Sequence, residues 1–221
     1  LFPAREVSFY RIAARSMDIT VQRLEALKQI YQGSVRFVVA SVEALLARLA
    51  PPELFLKGIR SIAVGDVIDL QEMARWLTAN GYERVEMVEG KGQYSIRGGI
   101  LDIYPLTEEN GYRLEFFDDE VDSVREFDVA TQRSIQKVER VEIFPALEIV
   151  LGPEEIHRGI KVLKEQLTLC RKRIGKEEGG ESEKLISRME EDIQTLQGGG
   201  YPEPTEAYIP IFYEENVNLL D

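Results

Sequence analysis

An α/β fold carrying an inserted, mainly antiparallel α+β block is what this sequence predicts, and three observations predict it. A β-branched run at 35–40 leads directly into a helical stripe at 42–49, the order of parallel α/β units. Between 84 and 144 the apolar period falls from that of a helix to two. After Pro145 it returns to helical spacing. The boundaries expected from these shifts are 1–61 for the first α/β part, 62–145 for the insertion and 146–221 for a helical return, with the flanks belonging together.

Each element follows from local chemistry. Asp18, Ile19 and Thr20 offer a start for a helix whose stripe is Val21, Leu24, Leu27 and Ile30, and Gly33 stops it. Val35 to Ala40 form the expected strand, and Ser41 caps the helix of Val42, Leu45, Leu46 and Leu49. Pro51 and Pro52 close that helix because proline cannot continue the hydrogen-bond ladder. Asp69 caps a helix over 70–80 with Leu70, Met73, Ala74 and Leu77 on its apolar side, ended by Gly81. Successive strands are expected at 84–88, 93–97, 100–104, 112–117, 120–128 and 137–144, divided by Gly, Asp, Asn or Pro. Asp118-Asp119 makes a hairpin connection, and the spacing of Val121, Val124 and Phe127 breaks alternation and predicts a bulge. Ile156, Ile160, Leu163, Leu167 and Ile174 form one later stripe and Leu185, Met189, Ile193 and Leu196 another. They read as an antiparallel helix pair, with Gly179-Gly180 between them. A glycine and proline loop precedes 208–213, which reads as an extended segment rejoining a sheet.

Composition narrows the function. The 221 residues carry 39 acidic against 27 basic groups, a formal charge of −12, which repels phosphate backbones unless the basic groups gather on one face. One cysteine, Cys170, excludes an internal disulfide, and one histidine, His157, excludes a multi-histidine metal site. A reduced, cytoplasmic setting is expected. No apolar run approaches the roughly 20 residues of a membrane span, so no membrane is expected either. The opening Leu1-Phe2-Pro3 and the apolar close Asn218-Leu219-Leu220-Asp221 read as cuts from a longer protein.

No chemistry of a catalytic kind stands out. Glu115, Asp118, Asp119, Glu120 and Asp122 read as a solvated hairpin tip rather than a metal site, His157 as a surface residue and Cys170 as a packing residue. No Gly-x-x-x-x-Gly-Lys phosphate loop occurs, and Gly90-Lys91-Gly92 is too short to imitate one. The sheet is more informative. Alternation puts Tyr112, Leu114 and Phe116 on one face and Arg113, Glu115 and Phe117 on the other. It likewise turns Tyr94 and Ile96 inward, and Ser95 and Arg97 outward. Arginine beside an exposed aromatic is the composition of binding hot spots. On periodicity alone two readings stay open: a partner-protein surface, or a Phe117 packed under a neighbouring element with each arginine paired to Glu115 or another acid.

These strings are also familiar. Gly92-Gln93-Tyr94-Ser95-Ile96-Arg97-Gly98-Gly99-Ile100-Leu101-Asp102-Ile103-Tyr104-Pro105 resembles the domain shared by UvrB and the bacterial transcription-repair coupling factors. So do Tyr112-Arg113-Leu114-Glu115-Phe116-Phe117-Asp118-Asp119-Glu120-Val121-Asp122-Ser123-Val124-Arg125-Glu126-Phe127-Asp128 and Thr131-Gln132-Arg133-Ser134. Leu1-Phe2-Pro3-Ala4-Arg5-Glu6, Arg23-Leu24-Glu25-Ala26-Leu27, Val39-Ala40-Ser41-Val42 and Pro51-Pro52 extend the resemblance to the coupling factors' N-terminal UvrB-homology module. The coupling factors fit better than UvrB, whose tyrosine-rich DNA-inserting hairpin has no room here, since Phe9-Tyr10 leads almost at once to Asp18-Ile19.

The resemblance implies a degenerate, helicase-like UvrB-type α/β module that is not itself an enzyme, with an inserted domain that binds UvrA and so recruits nucleotide excision repair to stalled RNA polymerase. The family's UvrA contacts fall on Arg97, Arg113 and Phe117. It implies no cofactor for this stretch, ATP and Mg being used elsewhere in the full-length family member. RNA polymerase and DNA would be engaged through other domains, and the intact protein would mask the UvrA surface against its own C-terminal domain. Two other readings are a fragment of a UvrB-type damage-verifying helicase, which an upstream phosphate loop would favour, and a nucleic-acid module whose arginines read a backbone.

Overall fold

A computed structural model describes residues 1–5, 17–174, 180–202, 205–215 and 217–220. The stretch 6–16, where a tyrosine-rich hairpin was not expected, lies outside the described residues, as do Gly179 of the helix joint and Pro204 of the late loop.

The first helix, α1 (Met17–Tyr31), has Asp18 in its first turn and Lys28 in its last, each matching the sign of the helix dipole. It stops where Gly33 takes a φ of 65°. Leu24 and Leu27 are buried as the stripe requires. The strand expected over 35–40 does not form. Among the described residues Ala40 makes only a parallel bridge to Phe2, and Phe37 is 88% exposed. A strand takes its hydrogen bonds from neighbours, and Phe2 supplies just one, its N–H donating to Val39 O at 2.8 Å. The following α2 (Val42–Leu46) is capped by Ser41, as expected, but ends early. Ala47 is already extended, and Leu49 instead bridges Val217. Proline has a second surprise: Pro52 opens α3 (Pro52–Lys57) rather than merely closing the helix before it, since a first-turn proline loses no intrahelical bond.

Next comes β1 (Arg60–Ala63), which the sequence pattern did not reveal, and then α4 (Leu70–Ala79). The Asp69 carboxylate accepts from the N–H groups of Glu72 and Gln71, and these bonds hold its pKa below the ordinary value. Met73, Ala74 and Leu77 are buried and Gly81, at φ 86°, ends the turn, all as expected.

Six strands then form one sheet in the order β2 (Glu83–Arg84), β3 (Gln93–Arg97), β4 (Ile100–Tyr104), β5 (Gly111–Phe117), β6 (Glu120–Asp128) and β7 (Arg133–Val138). Only the β2–β3 pairing is parallel. The strand expected over 84–88 shrinks to β2, and Val88 is fully buried outside the ladder. The strand expected over 137–144 divides into the end of β7 and a separate β8 (Arg140–Ile143), which leaves the sheet to pair antiparallel with β1. Its alternation places Val141 and Ile143 inward, so β8 and β1 bury Ile62 together with them.

One core lies between the sheet and its helices. Tyr94, Leu101, Ile103, Leu114, Val121 and Val124 meet Met73 and Leu77 of α4 there, together with Leu24 and Phe55 from the first part. Tyr94 fixes the contact, its hydroxyl bonding Thr78 Oγ1 at 2.9 Å and Ala74 O at 3.2 Å. A second core joins α5 (Pro153–Ile174) to α6 (Gly180–Gln197) through Leu163, Leu167, Met189, Ile193 and Leu196. The segment expected to be extended at 208–213 is instead a 3₁₀ turn (Thr205–Tyr208) followed by α7 (Ile209–Phe212). Ile209 and Phe212, three apart, are both fully buried against this second core, so helical spacing prevails over β propensity.

The parts are tied by buried charge. Glu148, at the exit of the sheet block, accepts from Arg23 Nε at 2.7 Å and Nη2 at 2.9 Å, and also pairs with Arg5. Arg23 also donates to Pro3 O at 2.6 Å, and its guanidinium lies 4.1 Å from the centre of the Phe2 ring. N-terminal segment, α1 and the chain leaving the sheet therefore share one carboxylate.

Candidate functional site

The sheet has one face on the core and one face away from it, and register decides which residues meet on the second. Ser95 pairs with Asp102, Asp102 with Arg113, Arg113 with Arg125 and Arg125 with Lys137. Directly opposite residues point to the same face, so these five form a row across five strands. The expected bulge is present as a register shift opposite Glu115 and Phe116. It skips Asp122 on β6, and a second shift skips Ile135 on β7. Because neither interrupts β5, Arg113, Glu115 and Phe117 stay on one side of it.

Two of the three residues expected to bind a partner are open to solvent. Phe117 is 77% exposed, and the Arg97 side chain is half exposed. Arg113 is different: its side chain is 17% exposed and every nitrogen is engaged. Nε and Nη2 donate to Asp102 Oδ1 at 2.6 Å and Oδ2 at 2.9 Å, while Nη1 and Nη2 reach Gln132 O and Oε1 at 3.5 and 3.4 Å. Its guanidinium lies 4.8 Å from the centre of the buried Phe127 ring. The bonds to Asp102 hold the Arg113 pKa above its ordinary value, against the opposing effect of burial.

Asp102 is the residue that sequence reasoning missed. It is 1% exposed and holds both arginines, since Arg97 Nη2 also donates to Oδ2 at 2.8 Å. Apolar neighbours at 101 and 103 disguised it as part of a buried strand. The signal available was the hairpin register that sets Asp102 opposite Arg113. Glu115, one of the acids considered as a partner for the arginines, accepts from Ser123 Oγ at 2.6 Å and Arg125 Nη2 at 3.3 Å, while Arg97 and Arg113 pair with the other acid, Asp102. Ser95 corrects another expectation. It faces away from the core but is buried, and its hydroxyl donates to Glu86 O at 2.8 Å.

Gln132 closes the platform. Its side-chain amide donates to Val88 O at 2.9 Å and Val129 O at 2.8 Å, while its backbone and side-chain carbonyl oxygens face Arg113. Gly111 lets Phe127 lie flat beneath, since a Cβ there would stand 2.5 Å from Phe127 Cε1. Gly111→Ala is therefore expected to lower stability by about 1–3 kcal/mol, the usual cost of overpacking, seen as a lower midpoint in thermal denaturation.

Among the described residues no group of three or more His, Cys, Asp or Glu side chains is placed to hold a metal ion. His157 is exposed on α5, and Cys170 is half buried beside the second core. Nor does any helix among the described residues have the length and apolarity to cross a membrane. What the sheet face offers is one projecting aromatic beside arginines fixed by a buried acid, on a rigid scaffold. Such a face fits docking against another protein.

Fold and face thus define a protein-interaction module. Residues 61–148 match the family model described as the UvrB interaction domain. Over its full length the chain is similar to the transcription-repair-coupling factors of Bacillus subtilis (strain 168), at 37% identity over 221 residues, and of Haemophilus influenzae, at 32%. It also matches the UvrABC system protein B of Thermotoga neapolitana, at 33% identity over 93% of the chain. The resemblance drawn from the Gly92 to Ser134 strings therefore holds. The chain spans 19% and 18% of the two coupling factors and 31% of that UvrABC protein.

Proposed function

We propose that this chain is a non-catalytic adapter that binds UvrA through Arg97, Arg113 and Phe117, and that in the full-length protein it brings nucleotide excision repair to stalled RNA polymerase. The observation that carries the reading is the presentation, on one sheet face, of an exposed Phe117 and an Arg97 anchored by Asp102, within a segment that matches the UvrB interaction domain. Under this reading 62–145 is the inserted binding domain, and 1–61 with 146–221 form a degenerate helicase-like UvrB-type part. The bridge between Leu49 and Val217 supports that grouping. The module works in the cytoplasm without a nucleotide or metal of its own, and RNA polymerase and DNA are met by other parts of the protein.

The test is calorimetric titration of the chain with UvrA, beside an Arg97→Ala/Arg113→Ala/Phe117→Ala variant whose fold is checked by circular dichroism. Phe117→Ala alone is expected to cost about 1–3 kcal/mol of binding, the usual range for truncating an anchor, and the folded triple variant to lose binding. Equal binding by parent and triple variant would sink the proposal.

A further inference from the structure

The cross-strand row continues past the residues so far given a role. Arg125 stands directly opposite Arg113, and Lys137 directly opposite Arg125. Like charges in direct register repel and weaken a sheet, so three adjacent cations in one row need a reason. Composition does not supply one, because the chain as a whole carries a charge of −12. Internal pairing supplies little. Asp102 neutralises Arg113, but the carboxylate nearest Arg125 is Glu115 at 3.3 Å, a long contact shared with Ser123. The Arg125 Nε is buried without a hydrogen-bond partner, while Lys137 is exposed on β7, the edge strand.

We propose that the docking face extends along this row to Arg125 and Lys137, and that it receives a carboxylate-bearing patch of UvrA; the inference rests on the UvrA reading above and deepens it. The row carries the charge that steers and orients an acidic partner, while Phe117 supplies the apolar anchor at the far end of β5. Complementary charge of this kind raises association rate and fixes register. A phosphate backbone fits less well. Asp102 and Glu115 sit among the cations, and the remainder of the molecule repels polyanions.

The experiment titrates UvrA at low and moderate salt with the parent chain, Arg125→Ala, Lys137→Ala, the Arg125→Ala/Lys137→Ala double variant and the Arg97→Ala/Arg113→Ala/Phe117→Ala variant. Folding is monitored by circular dichroism. Lys137→Ala alters only an exposed side chain and keeps the test open if Arg125→Ala proves unstable. Each single change is expected to weaken binding about three- to tenfold at low salt, and the double variant to show a flatter salt dependence. If the double variant or folded Lys137→Ala binds as the parent does, with the same salt dependence, while the triple variant fails to bind, this extension is wrong and the UvrA reading survives. A triple variant that binds normally overturns the reading itself and the extension with it. Duplex DNA is titrated in parallel, and DNA binding by the parent that the double variant loses would reassign the row to a phosphate backbone.

Discussion

Replacing Glu148 with alanine is expected to lower the free energy of unfolding by about 3–5 kcal/mol, the cost of removing one partner from a buried ion pair. Arg23 is fully buried and, among the described residues, would keep its charge with Pro3 O and the Phe2 ring beside it. Arg5 would lose the same acid. Chemical denaturation of the variant, with the midpoint compared at constant slope, measures the effect. The expectation fails if the variant unfolds within about 1 kcal/mol of the parent.

The same carboxylate gives the fold a pH dependence of definite sign. Burial by itself would raise the Glu148 pKa, but the charge of Arg5 and the hydrogen bonds and charge of Arg23 outweigh it and leave the group below its ordinary value. A carboxyl whose folded pKa is depressed contributes fully above its unfolded value of about 4.3 and loses that contribution as pH falls through the folded value. Stability of the parent should therefore fall below about pH 4, and Glu148→Gln should show a smaller fall over that window. Acid titration followed by far-ultraviolet circular dichroism reads the difference.

Asp102→Ala is the second large effect, and it joins stability to binding. Its loss leaves Arg113 beneath the sheet surface with only the longer contacts to Gln132, and frees Arg97 from its anchor. About 3 kcal/mol of stability is expected, the low end for a broken buried pair, because Arg97 is half exposed and its share is screened. UvrA affinity should fall as well, although Asp102 itself is too buried to touch a partner. A double-mutant cycle separates the two consequences. Asp102→Asn should weaken UvrA binding in the parent and have little further effect when Arg97 and Arg113 are already alanine. An equal loss in both backgrounds would show that Asp102 acts only through the fold.

The platform under these arginines also explains why Arg113 and Phe117 deserve different expectations. Phe117 leaves its ring open to solvent, whereas Arg113 is engaged mostly by Asp102, Gln132 and Phe127. Truncating Phe117 removes an anchor, whereas truncating Arg113 also removes the cover of a buried aromatic. The structure thus keeps Phe117 exposed and pairs both arginines with an acid other than Glu115, Asp102.

Legibility varied with the range of the interactions involved. Local signals were sufficient for α4, where Asp69 and Gly81 mark both ends, and for β3, β4 and β6, whose bounds match the expected strands. They were sufficient for Arg97 and Phe117 too, because period two assigns a face within a single strand. They failed at 35–40, where β-branched residues require a neighbour that, among the described residues, only Phe2 provides, and at 208–213, where a packing site for Ile209 and Phe212 turned an apolar run into a helix. They also missed β1, which pairs with β8 returning from far along the chain, Arg60 opposite Ile143 and Ala63 opposite Arg140.

The sequence by itself therefore determined the class of fold, the run of the antiparallel block, its kinship with the UvrB interaction domain, and which side of β5 carries Arg113 and Phe117. Caps, turns and alternation act within a few residues, so a linear reading contains them. The tertiary structure alone decided that Asp102 holds Arg97 and Arg113, that Arg125 and Lys137 fall into line with them, and that Glu148 gathers Arg23 and Arg5. Each of those pairings joins residues from different strands or segments, and it is strand register and burial in three dimensions that bring the charges within a few ångströms and make them count.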